Sequence, residues 1–278
     1  MRLPVYIAKR YLFAKKSRNA INVISAVSVA GVGVGTMALI IVLSVFNGLE
    51  SMVSSIFNTF DPDIKVTAVE GKSFVPGDDR LARVSQLSGV AAYSLVIEEN
   101  ALLKYDERQY IATIKGVDSV YATVSGIDST MWEGEFVLSG ENGRDYAVPG
   151  VGVAQYLGIR INFITPLNVI VPRKDGGSTL SAENSLRSYY IFPSGIYEIE
   201  KEYDSKYVYV PIGFARAVTG IEEGVTSVEI KFREGTDPAA TQNEIKKVFG
   251  QDFRVQNRYE QQEIFYKVMK SERLAIFM

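Results

Sequence analysis

Apolar positions fall into three patterns along this chain. Residues 21–46, INVISAVSVAGVGVGTMALIIVLSVF, run for 26 positions without a charged side chain. As one α-helix at 1.5 Å per residue they reach about 39 Å, enough to cross a hydrocarbon layer of about 30 Å with some tilt. Beyond Phe46 the pattern changes: Met52, Val53, Ile56, Phe57 and Phe60 recur at helical spacing, so residues 47–60 are expected to extend the span as a stalk. Asp61-Pro62-Asp63 should end it, because proline disfavours helix at the residue before it.

From residue 61 to 258 short runs of two periods interleave, which predicts a mixed α/β domain. Ile64–Val69 alternates as a strand, and Asp78–Leu87 carries Leu81, Val84 and Leu87 at helical spacing behind acidic starting residues. Leu95–Val117 is rich in β-branched and aromatic residues, with Tyr105-Asp106-Glu107-Arg108 as a hairpin turn. The pattern is irregular after Ser125. Gly150–Gly158 then reads as a short helix ending at glycine, and strands are expected at Leu167–Val171, Tyr189–Phe192, Tyr207–Val210 and Ser227–Phe232. Pro238–Phe249 forms a helix capped by Asp237, a strand DFRVQ follows, and residues 259–278 read as a helix cut at the start of a second span. The polar stretch from Pro172 to Arg187 is a long loop, and long loops in compact domains are usually functional or disordered.

Charge sharpens this division. Residues 1–49 contain Arg2, Lys9, Arg10, Lys15, Lys16 and Arg18 and no acidic residue. Thirty basic residues less these six leaves 24 against 32 acidic ones, a net of −8 beyond the span. The positive-inside rule therefore places residues 1–20, with VYIAKRYLF as an amphipathic segment, in the cytoplasm and exports the domain. An acidic domain without a basic, aromatic-interleaved stripe argues against nucleic acid.

Candidate chemistry is sparse. With no histidine and no cysteine, His-assisted nucleophiles, the usual zinc sets and disulfides are excluded. Gly33-Val34-Gly35-Thr36-Met37-Ala38 spells a dinucleotide turn, with Glu50 as a loose ribose partner, but lacks the strand-turn-helix context that gives the motif force. A cleavable signal fits no better, since the apolar run is long for one. Gly71-Lys72-Ser73 fails as a phosphate loop because position 66 is Val. The acidic pairs Asp61/Asp63, Glu98/Glu99, Glu133/Glu135 and Glu222/Glu223 read as solvated surface charge, and Trp132 as a core aromatic. No cofactor is implied.

The segment from Arg10 to Glu50 resembles the first span of the lipoprotein-releasing-system transmembrane proteins (the Lol type), within the macrolide-exporter and FtsX-like permease family. The carriers are Arg10-Tyr11-Leu12, Ile24-Ser25, the spaced glycines and above all VLSVFNGLE at Val42–Glu50. The resemblance implies an α+β architecture: one transmembrane helix with a helical stalk, an extracytoplasmic α/β domain and the start of a second span. It also implies a non-catalytic subunit of the bacterial inner membrane, paired with a second permease of the same or a related kind. A cytoplasmic ATPase would drive it, and it would pass lipoprotein cargo to a periplasmic carrier. A protruding hairpin grips the carrier in such proteins, and Pro172, Arg173, Lys174 and Arg187 stand in the matching loop, richer in Gly and Ser and poorer in Pro than the family pattern. Within the span, Ala26, Ala30, Gly31 and Gly35 are small residues four apart that would let helices approach closely. Met37, Ile41, Val45 and Leu49 would then line a path for acyl chains. Two other readings stay open: an FtsX-like relative that signals to a cell-wall hydrolase, and a single-span anchored sensor or binding domain.

Overall fold

The computed structural model describes residues 3–12, 19–140, 143–161, 164–172 and 186–261. The chain divides near Ser55 into two units. In the first, helix α1 covers Leu3–Leu12, and α2 runs without interruption from Asn19 to Phe60, into the second. Helix α2 stops where Asp61-Pro62 was expected to stop it.

The second unit opens with β1 (Ile64–Ala68), α3 (Asp78–Ser85), the long β2 (Val90–Tyr105) and β3 (Arg108–Val117). Asp106 takes φ 50° in the two-residue turn between β2 and β3, a conformation that Asp tolerates better than most residues. Then come α4 (Tyr121–Ser125), a 3₁₀ turn (Ile127–Thr130), β4 (Met131–Gly134), β5 (Tyr146–Pro149), α5 (Val151–Leu157) and β6 (Leu167–Pro172). After β7 (Leu186–Pro193) follow β8 (Gly195–Tyr197), α6 (Lys201–Asp204), β9 (Tyr207–Pro211), α7 (Ile212–Thr219) and β10 (Ser227–Phe232). Finally α8 (Pro238–Phe249), β11 (Phe253–Asn257) and α9 (Arg258–Gln261) complete the described chain. Gly158 closes α5 in the left-handed conformation, and Asp237 caps α8 by accepting from the Ala239 N–H. The expected second span falls outside the described residues.

Nine strands join in the order β11-β1-β10-β2-β3-β9-β5-β7-β6, and β6 returns to pair with β2. The last six strands therefore close on themselves as a barrel. Two halves share β2. In one, β1-α3-β2 and β10-α8-β11 form interlocked split βαβ units, an antiparallel sheet with Ile64, Val66, Val84, Val228, Ile230, Ile245 and Phe249 buried beneath its helices. In the other, Leu103, Ile114, Leu167, Val169, Ile191 and Val208 fill the barrel together with Leu157 of α5 and Ala215 of α7. Closure leaves no free edge among those strands, which is how short segments such as β5 become stable.

Candidate functional site

Three places bear the expected functional residues: the span, its exit into the domain, and the root of the long loop. Within α2, Val23–Val45 is long and apolar enough to cross a membrane and none of its surface is buried. A side chain added at Gly31 or Gly35 meets nothing within 4 Å. Helical geometry, at about 100° per residue, divides these small residues between two faces. Ala26 and Ala30 share one stripe with Gly33, Met37, Ser44 and Gly48, while Gly31 and Gly35 fall on a second, with Ala38 and Val42, turned by about 140° from the first. Met37, Ile41 and Val45, each exposed, start on the alanine stripe and drift by about 40° with each step of four. The side chain of Leu49 falls outside the described residues. The span thus offers two surfaces for close approach. Thr36, between them, returns its hydroxyl to the Val32 carbonyl at 2.8 Å, which satisfies that hydroxyl without a partner helix.

The exit from α2 is tied firmly into the domain, and this overturns the reading of Asp61 and Asp63 as solvated charge. Asp61 is 4% exposed and accepts a hydrogen bond of 2.7 Å from the Tyr203 hydroxyl. Burial, then the Asp61 carboxylate, push the Tyr203 phenol well above its ordinary value, which keeps it a donor. Asp63 accepts from the Phe232 N–H at 2.8 Å and pairs with Arg258 at 3.0 Å. Gln261 donates to the Pro62 carbonyl, and Ile64 stands opposite Asn257 in the β1–β11 ladder. The segment leaving the helix and the segment after β11 are therefore clasped at one place, by groups 199 residues apart in the chain.

Beside the exit lies an ion network on the sheet face opposite α3 and α8. Lys115 of β3, 3% exposed, donates to both carboxylate oxygens of Glu229 of β10 at 2.8 and 3.1 Å. Glu98 of β2 sits 2.9 Å from Lys65 of β1 and 3.8 Å from Lys115. Burial, the largest single influence, would lower the Lys115 ammonium, but Glu229, Tyr209, Glu98 and Tyr207 together outweigh it and hold the group above its ordinary value. Burial would raise Glu98, yet Lys65 and Lys115 hold it down at about 2. The aromatic ring of Tyr121 lies 5.0 Å from the Lys115 ammonium. Glu99 pairs with Lys72, so neither member of the Glu98/Glu99 pair is simple surface charge.

At the loop, Arg173 and Lys174 fall outside the described residues. Pro172 ends β6 and stands opposite Leu186, whereas Arg187 lies inside β7, opposite Val171, rather than in the loop. Strand register gathers an exposed apolar surface at this root. Ile111, 72% exposed, stands opposite Leu102, which stands opposite Ile170, and Leu186 and Tyr190 lie exposed on the same outer face of the barrel. Sequence reading missed this surface, because its members come from four strands and only their register brings them together. It also misplaced Trp132, which is 58% exposed beside a groove of about 730 Å³. Among the described residues no group of acidic, His or Cys side chains is arranged to hold a metal ion.

Comparison with known proteins extends the resemblance well past the first span. The lipoprotein-releasing system transmembrane protein LolC of Neisseria meningitidis serogroup B (strain ATCC BAA-335 / MC58) is 24% identical over 247 residues, 86% of this chain. The chain spans 57% of that protein's length. The fold also matches the extracellular domain of the noncanonic ABC-type transporter YknZ from Gram-positive bacteria, with a TM-score of 0.50 and 15% identity, over 70% of this chain and 99% of that one. The periplasmic region of MacB from Actinobacillus actinomycetemcomitans aligns over 76% of this chain and 95% of its own, at 10% identity and a TM-score of 0.48. The MacB-like periplasmic core domain profile matches residues 25–248, most of the sequence, and the chain belongs to that family.

Proposed function

We propose that this chain is a permease subunit of an ABC transporter of the MacB and Lol type that extracts lipoproteins from the inner membrane and hands them to a periplasmic carrier. The observation that carries the reading is the uncharged span Val23–Val45, continuous in one helix with the residues that enter a MacB-like domain. The likeness to LolC supports lipoprotein as the cargo. The amino terminus faces the cytoplasm, residues 61–258 are periplasmic, and residues 259–278 lead into a second span. ATP is hydrolysed by a separate cytoplasmic subunit, since this sequence carries no complete phosphate loop. A second permease, identical or related, packs against the small stripes of α2, where close backbone approach gives dispersion contacts that lipid does not replace. The exposed apolar root of the Pro172–Arg187 hairpin, with Arg173 and Lys174 beyond it, receives the carrier. Exposed charges would orient it, contributing about 0 to 1 kcal/mol each.

The test is ATP-dependent release of a tagged lipoprotein from spheroplasts into a soluble fraction containing the carrier, with the full-length protein and its ATPase co-expressed. Replacing Arg173–Ser178 by a short Gly-Ser turn should leave expression and unfolding near wild type and abolish release. Normal release by the shortened protein would remove the carrier assignment. Normal lipoprotein sorting together with a cell-wall separation defect, on depletion of the whole protein, would replace the transport reading with the signalling one.

A further inference from the structure

The sheet face opposite α3 and α8 holds a cleft of about 370 Å³ between β1, β2, β3 and β10. Its size is that of a small-molecule site. Three lysines line it, and two are already matched: Lys65 by Glu98 at 2.9 Å and Lys72 by Glu99. Lys206 is different. It is exposed, its ammonium lies 4.7 Å from the Tyr207 ring centroid, and among the described residues no carboxylate stands within ion-pair distance of it. Glu200 and Glu202 line neighbouring concavities with Lys206, but not this cleft.

A second observation comes from Ser227, at the start of β10. The residue is 1% exposed and lines the cleft, yet among the described residues its hydroxyl has no hydrogen-bond partner. A buried hydroxyl left without a partner costs about 1–3 kcal/mol, so such groups are ordinarily satisfied. Its neighbour Thr226 shows the ordinary case: its side-chain oxygen accepts from the Glu98 N–H at 2.8 Å and donates to the Val96 carbonyl at 3.1 Å. Ser227 shares its sheet face with Glu229, and stands opposite Val96 on β2.

We infer that this cleft is a binding site for a small anion bearing a carboxylate or phosphate group, with Lys206 as its cation and Ser227 as the hydroxyl at its floor. An anion of single charge completes the balance that the other two lysines already have. An uncharged ligand would leave Lys206 with only the field of Glu98, a carboxylate already engaged by Lys65 and Lys115. A cation would meet only carboxylates already engaged by Lys65, Lys115 and Lys72. This site lies on the sheet face rather than at the loop root or the span, and its occupancy does not depend on what the transporter carries.

The full-length protein in detergent, with its lysines reductively ¹³C-methylated, would be titrated with inorganic phosphate and separately with acetate at constant ionic strength. The Lys206 resonance, assigned by its loss in Lys206→Met, should move saturably with at least one of the two anions. The exposed Lys201 signal, the reference for unspecific screening, should drift linearly. Ser227→Ala should raise the midpoint by about two- to tenfold, the range of one lost hydrogen bond. A Lys206 response that parallels that of Lys201 for both anions, or a midpoint unchanged in Ser227→Ala, overturns the assignment. Lys206 is exposed and holds no ion pair among the described residues, so Lys206→Met should unfold at the wild-type midpoint and the loss of its signal will report assignment rather than misfolding.

Discussion

The two halves of the domain share a strand but were built by different means. In the split βαβ half, each helix runs between parallel strands of one sheet, and every element is regular: β1, α3, α8 and β11 each bury one face, and β10 buries both. In the barrel half, β5 is only four residues long, two of the ring's pairings, β3–β9 and β5–β7, are parallel, and the short β4 and β8 pair with each other outside the ring. Closure of the ring compensates for weak local signals. The first half is stable because its segments already prefer their states, the second because its segments have nowhere else to pair.

The largest effect is expected where the halves are fastened together. Glu229 belongs to the split half and Lys115 to the barrel, and both are buried. Removing one partner of a buried pair strands the other, so Glu229→Ala should cost about 3–5 kcal/mol, while replacing both with apolar residues of similar volume should recover most of that. Urea unfolding followed by circular dichroism measures both variants. A single transition that shifts as a whole means that the halves unfold together. A new early phase in Glu229→Ala would show that the network holds them as one. The same network gives an acid signature. Glu98 sits at about 2 in the fold against an ordinary 4.5, so its contribution is present above about pH 4.5 and is lost as pH falls toward 2. Glu98→Gln should flatten that limb of the stability profile.

Legibility followed the same division. The span was readable from the lack of charge alone. Helix α8 was legible because Asp237, Pro238 and the apolar positions Ile245, Val248 and Phe249 all indicate the same element, and β10 because SVEIKF alternates. By contrast, α7 (IGFARAVT) and the short strands depend on contacts distant in sequence, and no local pattern marks them. Glu98 reads as surface charge, and Lys115 and Glu229 go unremarked, for a different reason. Glu98, Lys115 and Glu229 interrupt their strands with charge, and a charge in a strand is ordinarily taken to mark a solvated face. Here that face lies under α4, Tyr121 and Tyr209. Nothing within a single segment reports that the compensating charge is on a neighbouring strand. The two-stripe division of α2 is legible in the sequence, since it follows from spacing alone. Residues four apart share a face, but Ala30 and Gly31 are adjacent.

A smaller effect separates the halves instead of joining them. Gly116 of β3 lies against α7, and a Cβ placed there would come 2.1 Å from the Cβ of Ala215, which is wholly buried. Gly116→Ala should therefore cost about 1–3 kcal/mol by forcing α7 off the barrel. Gly116→Ala with Ala215→Gly restores the space, but places glycine in a helix, which costs about 1 kcal/mol. The double variant should thus be more stable than Gly116→Ala when the loss is steric. Unfolding midpoints in urea decide the order. A single variant at wild-type stability would mean that the helix and strand are not seated as closely as the geometry requires.

The smallest effect belongs to Trp132, and it is informative because it is small. As the only tryptophan, its emission reports one place, the edge of the barrel half beside β4 and β8. At 58% exposed it has little apolar contact to lose, so Trp132→Ala should change stability by no more than about 0.5 kcal/mol. In the folded wild type, acrylamide should quench the emission nearly as efficiently as in urea, and unfolding should shift the spectrum only slightly. Circular dichroism would then detect a transition that fluorescence barely registers. If the native emission is instead blue-shifted and shielded from acrylamide, the β4–β8 edge is covered in solution and the barrel half is larger than its described strands. If Trp132→Ala costs as much as Gly116→Ala, the β4–β8 pair is a sequence-local anchor of the barrel half, and the contrast between ring closure and the local regularity of the split half fails at that edge.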